Sequence, residues 1–215
     1  MTKYRLVVLA SGEGTNLQAL IDEVHLPGLA NIALVLSDRE QAGALERARS
    51  AGIPAVSLPR LPGEGREGYH RRAAQVLQQA NPDLVVLAGY MRLLPPDFIE
   101  EMPPIINVHP SLLPAFPGLD APGQALAYGA KVSGCTVHLV DGGMDTGPVI
   151  SQQALPVLPG DTPASLHNRI KLLEHKALVQ AVTAFAQGRV AITERKIELK
   201  EDTDGIQTGV NQRIR

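Results

Sequence analysis

The stretch YRLVVLASGEGTNLQALID, Tyr4–Asp22, decides the fold. Its opening, Tyr4–Ala10, is a short and nearly continuous apolar run. Such a run fits a strand buried on both faces, as in a parallel sheet. Gly12 and Gly14 then permit a tight turn, and NLQALIDEV carries a helical pattern. Strand, glycine turn and helix make the opening unit of a doubly wound α/β sheet. NIALVLSD (Asn31–Asp38), DLVVLAGY (Asp83–Tyr90) and the shorter IINVH (Ile105–His109) repeat the strand form. EQAGALERARSAG and GYHRRAAQVLQQA lie between them with helical spacing. The alternation predicts a mostly parallel, Rossmann-like sheet.

After Gly118 the rhythm changes. APGQALAYG predicts a short helix, and KVSGCTVHLV and GPVISQQALPV predict two strands with little helix between them. These two are expected to pair antiparallel and extend the sheet. The longest helix is expected over 161–188, with Asp161 as N-cap, Pro163 in the first turn and Gly188 as its stop. KEDTDGIQTGVNQRIR has turn residues and no period. With no repeat or linker evident, the expectation is one domain over 1–215. It would have a phosphate-binding half (1–100), a catalytic half (101–195) and a tail (196–215).

Charge narrows the function classes. Lys+Arg number 20 against Asp+Glu 22, with no block of like charge, which argues against a nucleic-acid or membrane-surface partner. A single cysteine, Cys135, excludes an intrachain disulfide framework and fits a reducing, cytoplasmic setting. The apolar run near the start is too short for a signal peptide or a membrane span.

Two places carry chemistry. At the glycine turn, Gly14, Thr15 and Asn16 sit where a helix N-terminus exposes unpaired N–H groups, a good seat for a phosphate. A capped helix without a ligand fits the same residues. The dinucleotide fingerprint is only partly met, because Leu17 stands where a third glycine would fall; Asp38 lies where an acid could hold a ribose. The second place is NVHPSLLPAFPG, Asn107–Gly118. Asn107 and His109 alternate with Val108, so a strand puts both on one face, at the sheet end where ligands bind. Further on, VDGGMDTGP carries Asp141 and Asp145 around two glycines. An Asp beside His109 would favour imidazolium and hold its orientation. Asn, His and Asp together suit carbonyl chemistry: an amide donor for an oxyanion, and a group that shuttles a proton. An Asn-x-His pair at a strand end also occurs with a purely structural role. His138, inside CTVHLV, is expected to be a satisfied sheet residue, and His25, His70 and His167 to lie at the surface. No zinc-type spacing appears, so no metal is expected.

SGEGTNLQALID, DLVVLAGYMRLLPPDFI, IINVHPSLLPAFPGLDAPGQAL and VSGCTVHLVDGGMDTGPVISQ together resemble the successive motifs of the phosphoribosylglycinamide formyltransferases. These are folate-dependent enzymes of purine biosynthesis. The resemblance implies transfer of the formyl group of 10-formyltetrahydrofolate, a co-substrate, to the glycinamide amine. It implies Asn107 on the formyl oxygen, His109 as proton donor and Asp145 tuning His109. It places Gly14, Thr15 and Asn16 on the ribonucleotide phosphate and Glu174 on the ribose. It assigns Arg66, Met91, Arg92, Leu93, Leu94, Asn107, Val140 and Asp141 to the folate, largely through backbone groups. Partners would be small molecules only, and oligomeric state is left open. Two rivals stand beside it: a formyltetrahydrofolate hydrolase using the same residues, and a nucleotide-binding module without catalysis. Hydrolase relatives usually carry an extra N-terminal domain, which is not expected when the first strand starts near residue 4. Methionyl-tRNA formyltransferases need a C-terminal RNA-binding domain, which a short tail without a basic patch would not supply.

Overall fold

The structure, a computed structural model, describes residues 3–193 and 195–200. Seven strands form one sheet: β1 (Arg5–Leu9), β2 (Asn31–Ser37), β3 (Ala55–Ser57), β4 (Leu84–Leu87), β5 (Ile105–His109), β6 (Val132–Leu139) and β7 (Val149–Pro156). Their order is β3-β2-β1-β4-β5-β6-β7. The first five are parallel, and β6 and β7 add antiparallel, as expected for the doubly wound sheet with an antiparallel extension.

Alternation along β1 shows why its apolar run is continuous. Leu6 and Val8 pack on one face with Leu17 and Leu20 of α1 (Thr15–Leu20) and with Ile170 and Leu178 of α6 (Pro163–Ala186). Val7 and Leu9 pack on the other with Tyr69, Ala73 and Leu77 of α3 (Arg66–Gln79). All four β1 side chains are fully buried. Each such burial contributes about 1.5–3 kcal/mol relative to exposure. Helix α1 runs on as a π-helical turn over Ile21–His25, and α2 (Gly43–Ser50) joins the first face through Ala44 and Ala48.

Several elements differ from expectation. Strand β3 and the short α4 (Pro96–Glu101) have too few residues to show a period. Thr162, not Asp161, caps α6: Thr162 Oγ1 accepts from Ser165 N at 3.1 Å and Ser165 Oγ accepts from Thr162 N at 2.9 Å. Asp161 lies one residue too early for that exchange and instead accepts from Leu158 N at 2.7 Å. Pro163 opens the helix, and Gly188, at φ +67°, follows its end. A second sheet pairs β8 (Val190–Thr193) with β9 (Lys196–Leu199). Strand β9 occupies the start of the stretch expected as a tail, and residues 201–215 of that stretch lie outside the described residues. His70 is buried, not at the surface, with the rings of Tyr69 and Phe98 edge-on to it at 5.1 and 5.6 Å. His25 and His167 are half-buried. Among the described residues no helix is long and apolar enough to cross a membrane.

Candidate active site

Strand order reverses between β1 and β4, so the chain leaves their carboxyl ends in opposite directions and opens a crevice. A cavity of about 730 Å³ occupies it. One end is walled by the turn Gly12–Asn16 and by His167, Lys171 and Glu174 of α6. The other is walled by Ala88–Leu94, Val140 and Met144. Asn107, His109, His138 and Asp145 also line it.

The glycine turn is tight by necessity. Gly14 sits at φ +76°, and a Cβ there would lie 2.6 Å from Ala44 Cα. It precedes α1 with no side-chain cap, which leaves the first helical N–H groups for an anion. Asn16 Nδ2 donates to Glu174 Oε2 at 3.1 Å, and both residues are buried. Burial pushes the Glu174 carboxyl above its ordinary value, against the opposing pull of the Asn16 bond and the Lys171 cation. Lys171 Nζ stands 3.9 Å from Glu13. The family resemblance singled out Glu174, whereas Lys171 was not named and His167 was expected only at the surface. The signal was their spacing: positions 167, 171 and 174 share one face of α6.

The loop after β4 is pinned from behind. Met91 and Leu93 are exposed, whereas Leu94 is buried. Arg66 does not line the cavity; its Nη2 donates to the Leu94 carbonyl at 3.3 Å. Arg92 turns away to Asp38, with Nε 2.7 Å from Oδ2, and its guanidinium lies 4.6 Å from the Tyr69 ring centroid. Asp38 is therefore not free to hold a ribose. Asp141 also stays out of the cavity lining, accepting from Gly143 N at 3.1 Å and Thr146 Oγ1 at 2.6 Å, and so shapes the glycine loop.

Asn107 and His109 do share one face of β5, on the side of Ile105. His109 Nε2 donates to the Phe116 carbonyl at 2.9 Å, and Nδ1 lies 3.4 Å from Asp145 Oδ2. Both ring nitrogens thus face acceptors. The shorter bond anchors the ring, and the longer contact leaves Nδ1 as the nitrogen a substrate atom can engage. Phe116 and Asp145, which supply those acceptors, both hold left-handed backbone, at φ +55° each. Burial raises the Asp145 carboxyl, but His138, the Gly118 N–H at 2.8 Å and His109 outweigh it and hold it below its ordinary value.

His138 has neighbours that its own stretch of sequence does not show. It is satisfied, as expected, with Nδ1 donating to the Leu139 carbonyl at 2.8 Å. Yet it stands opposite Asn107 in the β5–β6 ladder, and its Nε2 accepts from Asn107 Nδ2 at 3.2 Å. Nε2 is also 3.6 Å from Asp145 Oδ1. It therefore orients the amide and borders the carboxylate. Among the described residues no group of three or more His, Cys, Asp or Glu is placed to hold a metal ion. An amide N–H, an imidazole and an ionised carboxylate at one wall are the parts for attack on a carbonyl, with uncapped helix N–H groups at the far end.

Comparison with known proteins agrees with this geometry. The sequence profile of the formyl transferase family matches residues 4–182. The chain is 44% identical over 202 residues to the phosphoribosylglycinamide formyltransferase of Mycobacterium tuberculosis H37Rv, covering 91% of this chain and 94% of that one. It is also 44% identical over 205 residues to the trifunctional purine biosynthetic protein adenosine-3 of Drosophila pseudoobscura; that match covers 93% of this chain but only 15% of the fly protein's length. The crystal structure of glycinamide ribonucleotide transformylase 1 from Symbiobacterium toebii superposes with a TM-score of 0.89 at 46% identity, over 93% of this chain and 95% of that one.

Proposed function

The chain belongs to the formyl transferase family, and from that premise we propose that it moves the formyl group of 10-formyltetrahydrofolate to the amine of 5-phosphoribosylglycinamide, a step of purine biosynthesis. One observation carries the proposal. Asn107, His109 and Asp145 meet at the wall of a single cavity that also holds the phosphate turn and Glu174. A hydrolase would have no use for that second end.

The ribonucleotide lies with its phosphate on the N–H groups of Gly14, Thr15 and Asn16 and its ribose against Glu174. The folate lies along Met91–Leu94 and Val140, where Leu94 and Val140 suit a flat heterocycle. Arg66 and Asp141 act from behind, by holding the loops that touch it. The substrate amine attacks the formyl carbon and forms the new C–N bond. Asn107 meets the charge on the formyl oxygen with the N–H that His138 does not use. His109 supplies a proton as the bond to the folate N10 breaks and takes up the one that the attacking amine gives up, so protons balance. Asp145 faces the ring charge while this occurs. The setting is the cytoplasm, and the partners are small molecules.

The test follows folate absorbance with and without the ribonucleotide. Deformylation is expected only when the ribonucleotide is present; deformylation without it would make the protein a hydrolase.

Two variants probe the ribonucleotide end. Gly14→Ala forces a left-handed alanine, which costs roughly 1–2 kcal/mol, and drives its Cβ into Ala44. That strain falls on folding, but relieving the clash shifts the turn and carries its N–H groups off the phosphate, so the ribonucleotide KM is expected to rise about tenfold with the folate KM nearly unchanged. A KM within twofold of wild type would remove the turn from phosphate binding. Glu174→Gln has two signatures. The folded carboxyl is raised, so it costs no stability below the ordinary glutamate range, and the cost grows as pH climbs to the folded value. Glu174→Gln should therefore melt above wild type at pH 8 and level with it near pH 4. It should also raise the ribonucleotide KM more than the folate KM. Equal rises would argue against a ribose contact.

A further inference from the structure

Asp38 directly follows β2 and touches no expected reacting atom, yet it is 8% exposed and both of its oxygens are used. Ser11 Oγ–H donates to Oδ1 at 2.6 Å, and Arg92 Nε–H donates to Oδ2 at 2.7 Å. Ser11 is itself buried, and its Oγ accepts the Met91 backbone N–H at 3.0 Å. Its own N–H donates to the Gly89 carbonyl at 3.1 Å. Arg92 is held on its other side by the Tyr69 ring, whose hydroxyl accepts from Tyr90 OH at 3.1 Å. One carboxylate thus joins three strand ends, β1, β2 and β4.

We propose that Asp38 is a positioning residue that, through Ser11 and Arg92, fixes the backbone of Met91–Leu94 and so sets folate affinity. This rests on the folate assignment above. The loop offers the folate mainly backbone groups, and its Met91 and Leu93 side chains are exposed. Its far end is held by buried Leu94 and by Arg66 on the Leu94 carbonyl; its near end, at Met91 and Arg92, is held from the buried side by a carboxylate with two fixed donors. Ser11 opens the phosphate turn but bonds away from it, so the ribonucleotide end should feel little of the change.

The experiment is steady-state kinetics for both substrates on wild type, Asp38→Asn, Arg92→Gln, the double variant and Ser11→Ala, with melting temperatures alongside. Asp38→Asn and Arg92→Gln are each expected to raise the folate KM about tenfold, with the ribonucleotide KM within twofold. The double variant should be no worse than the worse single one, because both break the same contact. Ser11→Ala leaves the ion pair and frees the Met91 N–H, so it should also raise the folate KM; it decides the matter if Asp38→Asn does not fold. A merely structural role would lower the melting temperature and the active fraction while surviving molecules kept a normal folate KM. That result, or additive effects in the double variant, overturns the proposal. Wild-type turnover separates the two claims. Its absence overturns the functional reading and the clamp's part in it, whereas normal wild-type turnover with unchanged folate KM in the variants overturns the clamp alone.

Discussion

Asn107→Ala is expected to lower kcat about 10²- to 10³-fold, roughly 2.7–4 kcal/mol, with both KM values nearly unchanged. The amide sits in the middle of β5, aimed by the strand and by its bond to His138 Nε2 at 3.2 Å. An oxygen that gains charge only in the transition state takes most from a donor already in place. That is why the loss falls on kcat and not on binding. The variant also leaves His138 Nε2 without its donor, so melting should be recorded to separate misfolding from lost chemistry. Single-turnover rates give the answer: a rate within threefold of wild type would remove Asn107 from the mechanism.

Asp145→Asn is expected to lower kcat by about 10²-fold or more while preserving the shape of the site. The substituted amide can keep its oxygen on the Gly118 N–H and the His109 side. What disappears is the charge that faces the His109 ring across 3.4 Å. Stability should change with pH in a defined direction. The Asp145 carboxyl is held below its ordinary value, so its contribution is full above the ordinary aspartate range and is lost as pH falls through the folded value. The melting gap between wild type and Asp145→Asn should therefore be widest at pH 6–8 and close in strong acid. A gap that ignores pH, or a kcat equal to wild type, would contradict the assignment.

These expectations draw on features of unequal visibility in the sequence. The continuous apolar runs of β1, β2, β4 and β5 announced a sheet buried on both faces, and the loss of helix after α5 (Ala121–Tyr128) announced the antiparallel strands. Alternation along a strand was enough to put Asn107 and His109 on one side. Strand β3, with three half-buried residues, had too little pattern to stand out. The contact of His138 with Asn107 was not legible because that partner lies across a ladder, 31 residues away, and cross-strand register is not written in local periodicity. Asp38 was misjudged for a similar reason: an acid at a strand end looks free until Ser11 and Arg92, distant in sequence, arrive beside it. The anchoring acceptor of His109 is a backbone carbonyl, Phe116, which no residue type reveals. Folate itself came from the resemblance of whole motifs, since apolar residues beside a cavity fit many flat ligands.

The central claim is that the formyl group passes to an amine held in the same cavity. The most direct measurement is to supply 10-formyltetrahydrofolate labelled with ¹³C in the formyl carbon, add the ribonucleotide and follow the label by NMR. The account predicts that the carbon appears as the formamide of the ribonucleotide, with tetrahydrofolate released in equal amount. Label recovered as formate would contradict it.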